Sequence, residues 1–65
     1  MKKQYLVIEI NDTSFTYIVD NLDSLISEIY EVELMNGETI EQVTYWFYMN
    51  YKVFVIEGTI IEKIG

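Results

Sequence analysis

Glu31-Val32-Glu33-Leu34-Met35-Asn36-Gly37-Glu38-Thr39-Ile40-Glu41-Gln42 admits two readings, and the choice between them decides the fold. Asn-Gly is the strongest short signal for a two-residue hairpin turn, so residues 31–35 could pair with 38–42. That turn would set Leu34 opposite Thr39, Val32 opposite Glu41 and Ile40 opposite Glu33, and the apolar side chains would not meet. The competing reading makes Asn36-Gly37 a helix stop and Thr39 an N-cap with Gln42 three residues on, as in a capping box. Ile40, Val43, Phe47 and Tyr51 then share one helical face, and a second helix runs over about 40–49. The β-favouring run Tyr45-Trp46-Phe47-Tyr48 keeps a helix plus a hairpin open for residues 31–49.

Upstream the pattern is plainer. Residues 4–10 alternate, with Leu6, Ile8 and Ile10 on one face and Tyr5, Val7 and Glu9 on the other, which is the period of a strand. Asn11-Asp12-Thr13-Ser14 is a cluster of turn formers. Residues 15–19 alternate again, so the two runs form a β-hairpin. Asp20 or Asn21 then caps a helix whose apolar positions are Leu22, Leu25, Ile26, Ile29 and Val32. Glu33 would fall on that stripe, so the helix is expected to end near Val32. Downstream, residues 52–57 are apolar on both faces, as for a strand inside a sheet or under a helix. Gly58 marks a bulge or tight turn, and residues 59–64 continue as an edge strand. The expected fold is α+β: one domain over residues 1–65, a small antiparallel sheet in β-β-α-α-β(β) order, and helices packed on one face.

Composition narrows the chemistry. The 65 residues are 51% hydrophobic and 23% charged, which predicts a packed core rather than a disordered tail. There is no Ala, Arg, Pro, His or Cys. Disulfides, zinc fingers, thiolate or imidazole catalysts and haem ligation fall away with those residues. A net charge of −7 opposes direct binding to nucleic acid or to an anionic membrane. The longest apolar run, residues 45–49, is too short to span a bilayer, and the start of the chain does not read as a secretory signal. The expectation is a soluble, intracellular, acidic mini-domain.

Catalysis without His would need a carboxylate with a raised pKa beside a second polar partner. The carboxylates here fall on helix surfaces and turns. Thr13-Ser14 lacks a nearby base and an oxyanion loop, and reads as part of a turn. Asn11-Asp12 and the run Asp20 to Asp23 lack the spacing of a calcium loop, and no glycine-rich phosphate cradle exists. Neither a cofactor nor a metal is expected, and a binding role is favoured over an enzymatic one.

Three features suggest where binding occurs. From Gln4 to Tyr51 the chain carries nine carboxylates and no Lys or Arg. Carboxylates three or four apart on a helix are ~5–6 Å from one another, so Glu28 and Glu31, continued by Glu38 and Glu41, would offer charges at a spacing comparable with phosphates. The bland alternative is a face that only keeps an acidic protein in solution. In the aromatic run, Phe47 points inward while Tyr45 and Met49 point away from the core, as residues of an interface do. Last, Lys2, Lys3, Lys52 and Lys63 lie at the termini and in the last strands. If the first and third strands are neighbours, the molecule is dipolar; the weaker alternative is edge-strand protection by lysine.

This profile, a β-hairpin with acidic helices and no catalytic residues in a composition typical of AT-rich genomes, resembles small phage-encoded anti-defence proteins. Anti-CRISPR proteins and DNA-mimicking inhibitors of uracil-DNA glycosylase are two such groups. The resemblance implies a non-enzymatic inhibitor, cytoplasmic in a bacterial host, that fills the basic nucleic-acid-binding groove of a protein, most specifically an RNA-guided nuclease. Glu28, Glu31, Glu38 and Glu41 would supply charge, and Tyr45 and Met49 an apolar anchor. The alternative is a homodimeric structural or regulatory module that pairs through its aromatic surface.

Overall fold

A computed structural model describes residues 3–65. Seven elements follow one another: β1 (Lys3–Glu9), β2 (Thr16–Val19), α1 (Leu22–Ile29), α2 (Glu31–Met35), α3 (Ile40–Asn50), β3 (Tyr51–Glu57) and β4 (Ile60–Lys63). The four strands form one antiparallel sheet in the order β2-β1-β3-β4. The helices cover one face of it, giving the α+β arrangement. Lys2 lies outside the described residues.

Local chemistry accounts for most boundaries. In the β1–β2 loop the Asp12 carboxylate accepts from the backbone N–H of Ser14 at 3.1 Å and from its hydroxyl, which is how Asp closes a turn on its own backbone. Asn21 caps α1 by accepting from the Ser24 N–H at 3.1 Å, and Thr39 caps α3 by accepting from the Gln42 N–H at 3.1 Å. At the end of α2 the N–H of Gly37 donates to the Leu34 carbonyl at 3.2 Å, and that of Glu38 to the Glu33 carbonyl at 3.0 Å. This pair of bonds is a Schellman motif. It needs a left-handed residue, which Gly37 supplies at φ +99. The Asn-Gly pair therefore ends a helix and turns no hairpin. Gly58, at φ +63, makes the tight turn between β3 and β4.

The first helix departs from the sequence expectation. A single helix ending near Val32 is replaced by two, α1 and α2, hinged at Tyr30 with φ −106 and ψ 28. Tyr30 is held from its far end: its ring lies 6.3 Å from that of Trp46, and its hydroxyl faces the Asn50 side chain, whose Nδ2 donates to the Trp46 carbonyl at 2.8 Å. The hinge rotates Val32 off the apolar stripe and leaves it 64% exposed. A second correction concerns the face expected of α3. Val43 and Phe47 are buried, but Ile40 is half exposed, and Tyr51 belongs to β3 while still stacking on Phe47 at 5.0 Å.

The core is Val7, Leu25, Ile26, Val43, Phe47 and Val53. Val7 and Val53 are partners in the β1–β3 register. Strand alternation thus assigns Tyr5, Val7 and Glu9 to the helix side, together with Tyr17, Val19, Tyr51 and Val53. Leu6, Ile8, Ile18, Phe54, Ile56 and Ile61 fall on the other side, where no element of the described residues covers them.

Candidate protein-binding surface

All six residues expected to bind a partner reach the surface. Glu28, Glu31, Glu38 and Glu41 are exposed, and Tyr45 and Met49 are 61% and 60% exposed. They do not form one row. Glu28 lies on α1, Glu31 opens α2, Glu38 sits in the α2–α3 loop and Glu41 is in the first turn of α3. The hinge at Tyr30 interrupts the i, i+3 relation that would join Glu28 to Glu31 along one continuous helix.

The structure does assemble a smaller group. Glu41, Tyr45 and Met49 recur every fourth residue along α3, opposite the buried pair Val43 and Phe47, and so form one ridge. Tyr48, 40% exposed, flanks it, and Glu38 precedes it by three residues. The ridge is acidic at the N-terminal end of the helix, where carboxylates are favoured by the helix dipole, and apolar toward the C-terminal end. No Lys or Arg occurs anywhere in the three helices. Glu28 belongs to a different feature, a groove of about 360 Å³ between β2 and α1 that is also lined by Tyr17, Val19, Leu25 and Ile29.

The tyrosines outside the aromatic run form a second arrangement that sequence reasoning missed. Tyr30 and Tyr51 are half-buried between the helices and the sheet, near Tyr17 and the half-buried Glu9. Burial raises the pKa of the Tyr30 hydroxyl; the Asn50 side chain pulls it back only in part, and the charges of Glu33 and Glu9 raise it further. Burial and then Glu9 raise that of Tyr51. Both phenols are held neutral by burial, with Glu9 acting on the pair and Glu33 on Tyr30. No local pattern announces this group, because its members come from β1, β2, the α1–α2 hinge and β3.

Among the described residues no set of three or more Asp or Glu side chains is arranged to hold a metal ion. No helix among them is long and apolar enough to cross a membrane. Thr13 and Ser14 are engaged in the hairpin turn, where the Thr13 carbonyl accepts from the Thr16 hydroxyl at 3.0 Å. No family model, curated protein or solved structure matches the chain.

Proposed function

We propose that this chain is a non-enzymatic inhibitor that acts in the cytoplasm of a bacterial host by occupying the basic groove of a nucleic-acid-handling protein, in the first place an RNA-guided nuclease. The α3 ridge carries this reading: Glu41, Tyr45 and Met49 are aligned and exposed, with Glu38 just ahead of them. A groove that binds nucleic acid is lined by Arg and Lys, and exposed carboxylates meet those groups with charge-assisted, often bidentate, hydrogen bonds. Tyr and Met add an apolar anchor beside the charge, the combination that concentrates binding energy at protein interfaces. Because the helices hold no cation, none of this charge is neutralised within its own layer.

Capture from a lysate of a low-GC bacterium, eluted with rising salt, tests the reading. A nuclease or other nucleic-acid-binding protein should elute early, since exposed charge pairs are screened by salt. It should not be captured by the variant carrying Glu38→Lys and Glu41→Lys. Recovery of the same protein by that variant, with its fold intact, would overturn the proposal. The competing module, a homodimer joined through Tyr45 and Met49, predicts salt-tolerant self-association that is lost on Tyr45→Asp.

A further inference from the structure

We propose that the uncovered face of the sheet docks a second copy of this chain, sheet against sheet, leaving the two acidic helical layers on the outside of a dimer. An antiparallel sheet with one solvated face normally turns polar residues to water. This one turns six large apolar residues outward. In the register Ile18, Leu6 and Phe54 lie side by side in one row, Ile56 and Ile61 are neighbours in the next, and Ile8 lies in the row beyond Leu6. Ile18 and Ile61, on the two edge strands, are each 63% exposed. Among the described residues the core on the other face has six buried members, which is little for a domain of this length; small domains commonly make up such a deficit by association.

Charge identifies the occupant. Among the described residues the strand positions on this face carry Lys52 and Lys63 and no carboxylate. Glu9, Glu57 and Glu62 alternate to the helix side, and the remaining acids lie on helices and loops. Docking through the sheets therefore keeps the acidic helical layers of two chains of net charge −7 on opposite outer faces, whereas helix-to-helix docking would press carboxylates together. One acid does reach this side. Asp20 follows β2, and its carboxylate accepts from Gln4 Nε2 at 3.4 Å, at the corner diagonally opposite Lys52 and Lys63.

A two-fold axis along the other diagonal crosses the strands of the two sheets near 90°, one of the two standard ways in which sheets stack. It brings Asp20 of each copy over the gap between Lys52 and Lys63 of the other. It also sets Ile18 of one copy beside Ile8 of the other, and places Ile61 on the axis, against Ile61 of the other copy. Such an interface is isologous and closes on itself, so it stops at two copies. Four strands ~4.8 Å apart and about six residues long span roughly 400 Å² per copy. That is less than the ~800 Å² per partner of a standard interface, so the dissociation constant should be micromolar rather than nanomolar.

Sedimentation equilibrium of the whole chain over about 1–300 µM tests this. The expected result is a reversible dimer whose dissociation constant rises at least tenfold in Ile61→Glu and likewise in Ile18→Glu, on the opposite edge, with far-UV circular dichroism unchanged in at least one of them. Asp20→Lys should weaken the dimer, and adding Lys52→Asp and Lys63→Asp to that chain should restore it. A monomer at every concentration would overturn the proposal. So would a dimer indifferent to both edge substitutions and lost on Tyr45→Asp, which would place the contact on the helices. Neither result bears on whether the α3 ridge binds a nuclease, since no partner is present.

Discussion

Both faces of the sheet carry large apolar side chains, and these meet different fates. On the helix side Val7 and Val53 are fully buried under Val43 and Phe47. On the open side Leu6 and Phe54, adjacent to them in the same strands, are covered only by their neighbours in the sheet, and Ile18 and Ile61 stand mostly in water. Apolar content does not separate the faces, although charge does. Three short helices cover one layer and no more, so burial here is decided by the supply of covering elements rather than by the hydrophobicity of the strand.

The comparison breaks most sharply under truncation. Phe47→Ala should cost about 3–5 kcal/mol and abolish cooperative thermal unfolding, because it empties the centre of a core with few other members. Next in size is the helix stop: Gly37→Ala places a Cβ on a left-handed residue and should cost about 1–2 kcal/mol, read as a lower urea midpoint. Thr39→Ala removes the α3 cap and should cost about 1 kcal/mol by the same measurement, with partial loss of helical circular dichroism.

The half-buried tyrosines sharpen the boundary between the layers. Burial raises the pKa of Tyr30 and Tyr51 above the ordinary 10.0, so the unfolded chain ionises first as the pH climbs. Above that pH the unfolded state binds fewer protons than the folded one, and stability falls. Urea midpoints should decline as the pH rises through about 10 and beyond, and Tyr51→Phe should decline less steeply. The smallest effect belongs to the open face, where Ile18→Thr or Ile61→Thr should change the stability of the dilute monomer by no more than about 0.5 kcal/mol. A large loss there at low micromolar concentration would show that this face is already covered.

Features settled within a few residues were legible in the sequence. The caps at Asn21 and Thr39, the Asp12 turn, the Asn36-Gly37 stop and the strand alternation all depend on neighbours one to five positions away. The rejected hairpin over 31–42 was legible for the same reason, since its register could be checked from the residues alone. The hinge at Tyr30 was not, because its cause lies at Trp46 and Asn50, on another helix. The same hinge breaks the row from Glu28 to Glu41, while Glu41, Tyr45 and Met49, contained in one helix, share a face that the sequence reading does not join. Apolar residues on both faces of 52–57 correctly indicated an interior strand, but periodicity cannot say which face finds a cover. The cluster of Tyr17, Tyr30, Tyr51 and Glu9 was invisible for the same reason as the hinge.

The most direct test of the account is plasmid cleavage by a guide-loaded RNA-guided nuclease, titrated with the wild-type chain and with the variant carrying Glu38→Lys and Glu41→Lys. Both glutamates are exposed and apart from the core, so the variant should melt within a few degrees of wild type. The account predicts that wild type inhibits, that inhibition weakens as salt rises, and that the variant needs at least ten times more protein for the same effect. A folded variant that inhibits as well as wild type would contradict it.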